Sequence, residues 1–202
     1  MDDQELEVKY FVSNLIGVRE KLERLKAEPV QERVLEVNLR FDTETNQLAR
    51  GFKVLRLRYD KKTRLTFKGP ASDQDGVRLR KEIEFEVSDF SAARSFLEAL
   101  GYSVAMIYEK YRQAFVLKEV EISLDELPYG TFVELEGPDS KRIREVNSLL
   151  DLDWGKRIDE SYASLFDRLR REAGFSFRDL VFENFEGKQI DLEVLGIHPA
   201  DG

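Results

Sequence analysis

The chain has 202 residues, 42% of them hydrophobic, no cysteine, one histidine and a formal net charge of −8. That length suits one large domain or a domain with an appendage. The missing cysteines exclude disulfides, thiolate zinc sites and cysteine nucleophiles, and the acidic balance argues against nonspecific nucleic-acid binding. His198, near the C-terminus in GIHPADG, reads as a solvated tail residue, which leaves no Ser-His-Asp triad or multi-histidine metal site. No apolar run approaches the ~20 residues that span a bilayer, and the acidic start MDDQ lacks an apolar signal core. A reducing cytoplasm is the expected compartment.

In chain order, ELEVK (5–9) alternates Leu6 and Val8 with Glu5, Glu7 and Lys9, so an extended segment carries its charges on one face. A helix follows over 13–27, with Ser13 as the expected N-cap and an apolar stripe at Leu15, Ile16, Val18, Leu22 and Leu25. Strands are expected at 34–42, with Glu36, Asn38 and Arg40 on the polar face, and at 54–60, with Arg56 and Arg58. The next, at 64–70, carries Arg64, Thr66 and Lys68 and is expected to end at Gly69-Pro70. The strand at 78–89 aligns Arg78, Arg80, Glu82, Glu84 and Glu86. A helix over 88–101 stops at Gly101. Three more strands follow: 107–117 with Tyr108, Lys110 and Arg112, 120–127 with Glu121, Ser123 and Asp125, and 131–138 with Glu134 and Glu136. Helices over 139–152 and 159–174 complete the set. The tail from Phe175 shows no clear period and reads as a packed appendage.

An antiparallel sheet with its polar face in water would explain alternation alone. The polar faces, however, carry like-charged doublets: Glu5/Glu7, Arg56/Arg58, Glu82/Glu84, Lys110/Arg112 and Glu134/Glu136. Like charges two apart on a face repel, and strongly so in a confined space, unless something balances them. Eight strands also suffice to close a barrel around a small ligand. With apolar residues outward beneath the helices, the interior becomes an inverted core of both signs. Buried charges persist only when paired or holding an ion. Basic groups suit a polyanion, and carboxylates suit its Mg²⁺ or Mn²⁺. The pattern points to a phosphate chain with its metal.

Read in order, these motifs resemble the CYTH family, the triphosphate tunnel metalloenzymes, which include class IV adenylyl cyclases, thiamine triphosphatases and inorganic triphosphatases. Glu5, Glu7 and Lys9 match the family's Glu-x-Glu-x-Lys signature. Arg56 and Arg58 match Arg-x-Arg; Thr66, Lys68 and Gly69 match Thr-x-Lys-Gly. Arg80, Glu82 and Glu84 match Arg-x-Glu-x-Glu, and Lys110 and Arg112 match Lys-x-Arg. Asp125 stands in the acidic strand, Glu134 and Glu136 in the late Glu-x-Glu, and Ser161-Tyr162 follows a family habit for which helix packing is the expected role. The resemblance spans roughly residues 3–172.

It implies an α+β fold: a closed eight-stranded antiparallel β-barrel, a tunnel with a charged interior and helices packed outside. The tunnel domain would run over 1–173, with the appendage, 174–202, packed on or near it. Lys9, Arg56, Arg58, Lys68, Arg80, Lys110 and Arg112 would bind the triphosphate. Glu5, Glu7, Glu82, Glu84, Asp125, Glu134 and Glu136 would hold Mg²⁺ or Mn²⁺, with Glu82 and Glu84 acting directly or through water. Lys9, Lys110 and Asp125 would be catalytic. The expected partner is a triphosphate-containing small molecule, with no nucleic acid, no membrane and room for a homodimer. Three functions stay open: a metal-dependent triphosphatase, an adenylyl cyclase forming cyclic AMP, and a catalytically silent binder. The His-Phe that precedes the signature in some cyclases is absent here, where MDDQ stands, and this favours hydrolysis.

Overall fold

The computed structural model describes residues 4–202. Its frame is eight strands: β1 (Gln4–Val12), β2 (Glu28–Asp42), β3 (Val54–Tyr59), β4 (Thr63–Gln74), β5 (Val77–Val87), β6 (Ser103–Leu117), β7 (Val120–Leu127) and β8 (Gly130–Glu136). All pair antiparallel and close into a barrel in the order β1-β5-β4-β3-β2-β6-β7-β8. Closure removes every sheet edge and fixes which face of each strand looks inward. The apolar members of the alternating strands face out, and the charged ones line the lumen.

Helices cover the apolar outside. On one side, α1 (Leu15–Arg24) and α4 (Ser140–Leu149) lay Val18, Leu22, Ile143 and Val146 on Val8, Tyr10, Ile122 and Leu135. Each such fully buried aliphatic side chain contributes about 1.5–3 kcal/mol. The fit of α4 needs Gly137, because a Cβ there would stand 3.0 Å from Ile143 and 3.1 Å from Val120. A third helix, α3 (Phe90–Ala99), capped by Asp89, seats Leu97 on Leu39, Phe41 and Leu57. It stops at Gly101, whose φ of +89° lies in the left-handed region that favours glycine. The one-turn α2 (Gln47–Arg50) joins β2 to β3.

The third apolar cluster lies at one end of the barrel. There α5 (Tyr162–Glu172), capped by Ser161, buries Tyr162, Leu165, Phe166 and Leu169. Phe11 and Phe132 share the inward parity of Lys9 and Glu134, and they join this cluster, with Phe132 5.1 Å from the Tyr162 ring. The tail beyond α5 contributes α6 (Phe182–Phe185), a 3-10 turn at Glu193–Leu195 and a stack of Phe175 on Phe177 at 4.9 Å. It is tied to the barrel by backbone bonds of Leu180 with Ile107 and Glu109, and of Ala200 with Phe11. Aromatic packing thus stops this end of the lumen.

Three local expectations are corrected. The residue capping α1 is Asn14, whose side chain accepts from the Gly17 amide at 2.9 Å; Ser13 instead donates to Asp201 of the tail. Gly69-Pro70 does not end β4. Proline has no N–H for the ladder, so the register shifts between Lys68 and Ala71 and the strand runs on to Gln74. Finally, β2 and β6 begin earlier than alternation suggests, at Glu28 and Ser103, because pairing with each other carries β2 through its bulges near Gln31 and Val34.

Candidate active site

The lumen is a cavity of about 500 Å³ lined almost wholly by polar and charged side chains, with Val54 and Ala163 as the aliphatic exceptions. Of the residues expected from sequence, Glu5, Glu7, Lys9, Arg56, Arg58, Lys68, Arg80, Glu82, Glu84, Lys110, Arg112, Glu134 and Glu136 all line it. Asp125 is fully buried just behind the wall. Arg40, Arg64, Arg78, Glu36 and Glu121 line it as well, whereas Glu86 lies outside in an exposed pair with Lys62. His198 is exposed, and Lys188 sits over the Phe175 and Phe177 rings.

Ion pairs between side chains of different strands explain how the like-charged doublets coexist. Cations and carboxylates from several strands meet in the lumen, so its walls carry one alternating chain of ion pairs. Lys68 lies 2.6 Å from Glu5 and 2.8 Å from Glu82; Arg56 lies 4.0 Å from Glu82 and 3.3 Å from Glu84. Arg58 continues from Glu84 at 2.9 Å to Glu36 at 3.6 Å, and Lys110 from Glu36 at 3.7 Å to Asp125 at 2.9 Å. Arg112 joins Asp125 at 2.6 Å to Glu134, which also meets Lys9 at 3.2 Å. Arg40, by contrast, makes no ion pair among the described residues.

The protonation balance follows from this arrangement. Burial alone would raise Glu36, but Lys110, Arg112, Arg58 and Arg56 outweigh it and hold the carboxyl down at about 2. Glu134 is likewise driven well below its ordinary range, its burial overcome by Lys9, Arg112, Lys110 and Lys68. Both are fixed as anions. Burial would also lower Lys68, yet Glu5 and Glu7 keep it raised and charged. Tyr108, whose hydroxyl receives a 3.3 Å bond from Arg56, is lowered in spite of its burial by Arg56 and Lys110.

One corner behaves oppositely. On β1, β7 and β8, Glu136 stands directly across from both Glu7 and Glu121. Desolvation and then the Glu5 charge push Glu136 up to about 8, against the pull of Lys68. Burial also raises Glu5, with Glu82 adding to it and Lys68 opposing. Glu136 makes no ion pair among the described residues, while Glu7 has only Arg78 at 3.3 Å. No group of three carboxylates is gathered tightly enough to form a finished metal cage among the described residues. In donor chemistry, however, the corner fits a hard divalent cation, which takes carboxylate oxygens and relieves their mutual repulsion.

Two expected residues have defined structural partners. The Arg80 guanidinium donates twice to the Gly69 carbonyl, at 3.0 and 2.7 Å, and so secures the β4 irregularity. Asp125 accepts from Lys110, from Arg112 at both oxygens and from the Tyr162 hydroxyl at 2.8 Å. Four donors saturate that carboxylate. Sequence reasoning assigned Tyr162 to helix packing, yet it also reaches the lumen: Lys9 Nζ lies 4.2 Å and Lys110 Nζ 5.4 Å from its ring centroid. No strand pattern could have flagged it, because it enters from a helix.

A scan of protein families matches the CYTH domain over residues 3–165. None of the curated proteins matches the chain. Among solved structures, an adenylate cyclase candidate from Vibrio parahaemolyticus superposes with a TM-score of 0.74 at 24% identity, covering 83% of this chain and 99% of its own. A protein of Pyrococcus horikoshii gives a TM-score of 0.65 at 26% identity, covering 78% and 96%. An adenylyl cyclase candidate from Hippeastrum, described as having a dominant triphosphatase activity, gives 0.64 at 19% identity, covering 81% and 95%.

Proposed function

The chain belongs to the CYTH domain family, and from that premise we propose that it is a divalent-metal-dependent phosphohydrolase whose tunnel binds a triphosphate, either tripolyphosphate or a small organic triphosphate. One observation carries the reading: a lumen whose cations are already fixed in place by carboxylates, beside an acidic corner where Glu136 makes no ion pair among the described residues and Glu7 meets only Arg78. The first suits phosphate oxygens, the second a metal.

Lys9, Arg56, Arg58, Lys68, Lys110 and Arg112 would bind the phosphate oxygens, with Arg40, which makes no ion pair among the described residues, as a further guanidinium at the wall. Their positions are set before substrate arrives, so little reorganisation is needed as charge shifts in the transition state. Glu5, Glu7 and Glu136, with Glu134 next to them, would hold Mg²⁺ or Mn²⁺. When bound, that cation supplies charge neutralisation and orientation of the attacking water. Water attack at the terminal phosphorus forms one P–O bond and breaks the bridging one, releasing orthophosphate and the shortened chain. Asp125 keeps Lys110 and Arg112 aimed at that terminus. With aromatic packing at one end, the lumen admits a linear chain from the opposite mouth.

The runner-up is adenylyl cyclase, which would use the same phosphate grip while the ribose hydroxyl attacks the α-phosphorus. The Vibrio neighbour's description supports it. The lining supports hydrolysis, since it offers almost no aliphatic surface for a base, its Tyr108 hydroxyl is bonded by Arg56 and its Tyr162 ring lies under Lys9. The test is a side-by-side assay of purified protein with Mg²⁺ or Mn²⁺ on tripolyphosphate, thiamine triphosphate and ATP. Phosphate release with no cyclic AMP is expected. Cyclic AMP from ATP would establish the cyclase instead, and no turnover of any of the three would leave a binder.

A further inference from the structure

Tyr162 occupies a boundary. Its main-chain carbonyl accepts from the Tyr129 hydroxyl at 3.1 Å and its ring meets Phe132 edge-on, so it is anchored in the aromatic packing at the closed end. Its other side faces the chemistry. The hydroxyl donates to Asp125 at 2.8 Å, and the ring lies under the ammonium groups of Lys9 and Lys110. The residue is only 8% exposed, so these contacts are made in a site with little room for water. A hydrogen bond to a buried anion and a cation over an aromatic face are both strengthened there.

Resting on the triphosphatase reading above, we propose that Tyr162 is a positioning residue for the phosphate grip. Its hydroxyl fixes the Asp125 carboxylate that aims Lys110 and Arg112, and its ring holds Lys9 and Lys110 at the height of the terminal phosphate. Through α5, the tail packing thereby sets the geometry of the lysines.

Two substitutions separate the halves of this role. Tyr162→Phe removes the hydroxyl and keeps the ring; a charge-linked hydrogen bond of this kind is worth about tenfold or more. Its kcat on tripolyphosphate is expected to fall about tenfold with KM within twofold of wild type. In an Asp125→Asn background the same change is expected to add less than about twofold, because the hydroxyl acts through Asp125. Tyr162→Leu also removes the ring, and metal-free tripolyphosphate binding by calorimetry is expected to weaken roughly five- to tenfold beyond the phenylalanine variant. A purely structural residue would instead lower the melting temperature or the binding stoichiometry and leave Kd, KM and the double-mutant coupling alone. Wild-type kinetics in Tyr162→Phe, or an undiminished effect in the Asp125→Asn background, overturns the proposal even should the leucine variant fail to fold. A wild type that hydrolyses tripolyphosphate while both variants match it removes only this role; a wild type that neither binds nor cleaves removes the parent reading too.

Discussion

Glu136 and Glu36 are both tunnel carboxylates, and the fold moves them in opposite directions. Glu136, exposed at the end of β8 and making no ion pair among the described residues, is pushed up to about 8 from an ordinary 4.5 by desolvation and then by Glu5. A carboxyl raised in the folded state keeps a proton that the unfolded chain has already released, so stability falls as pH rises through that window. Metal-free protein is therefore expected to lose melting temperature between about pH 4.5 and 8. Water in the lumen screens the effect to the order of 1 kcal/mol, or about 2–4 °C. A divalent cation needs the ionised form, so Mg²⁺ affinity is expected to rise with pH over the same range. Glu136→Gln should flatten both dependences in scanning calorimetry; a wild-type slope in the variant contradicts the assignment.

Glu36 is held at about 2, chiefly by Lys110, Arg112 and Arg58 against its burial. Its stability contribution is present above the ordinary carboxylate range and is lost as pH falls through the folded value. Glu36→Gln would leave Arg58 and Lys110 short of countercharge. Breaking such a buried pair costs about 3–5 kcal/mol, measurable as a lower urea midpoint at neutral pH. An unchanged midpoint would mean that Glu134, Asp125 and Glu84 suffice without it.

At the scale of elements, alternation made the strands legible in the sequence. Glu5-Leu6-Glu7-Val8-Lys9 and Arg56-Leu57-Arg58 have period two, and no helix could sort their charges to one face. The parts that stayed hidden depend on pairing rather than pattern. Residues 28–33 do not alternate and join β2 only because β6 pairs with them. The choice of Asn14 over Ser13 as cap depends on Asp201, almost the whole chain away. The ion-pair partners of each arginine were likewise hidden, since they depend on barrel order. Tyr162 was missed because its second face is visible only once α5 is docked. Docking of the helices makes its own demand at Gly137, where a methyl group would press on Ile143 and Val120. Gly137→Ala is expected to destabilise by about 1–3 kcal/mol in denaturant unfolding without changing metal-dependent activity in the folded fraction; a neutral effect would mean that α4 shifts freely on the barrel.

The whole molecule carries a net charge of −8 yet concentrates a group of arginines and lysines in its lumen. An anion entering the lumen meets several cations converging on one confined space. Binding to the folded state alone stabilises it by mass action, about 2.7 kcal/mol at a hundredfold excess over Kd. Tripolyphosphate is therefore expected to raise the melting temperature by about 5–10 °C, and sulfate at equal ionic strength by much less. Equal shifts from both would point to screening rather than a site. None of the helices among the described residues is long and apolar enough to cross a membrane; α1, α3 and α4 instead cover the outward apolar face of a barrel turned inside out.

The most direct test is a crystal grown with Mn²⁺ and a non-hydrolysable tripolyphosphate analogue, with anomalous scattering locating the metal. The expected result is density for the phosphate chain among Lys9, Arg56, Arg58, Lys68, Lys110 and Arg112, with the manganese peak against Glu7 and Glu136. A lumen filled only by water, with the manganese and the analogue on the outer surface, would contradict it.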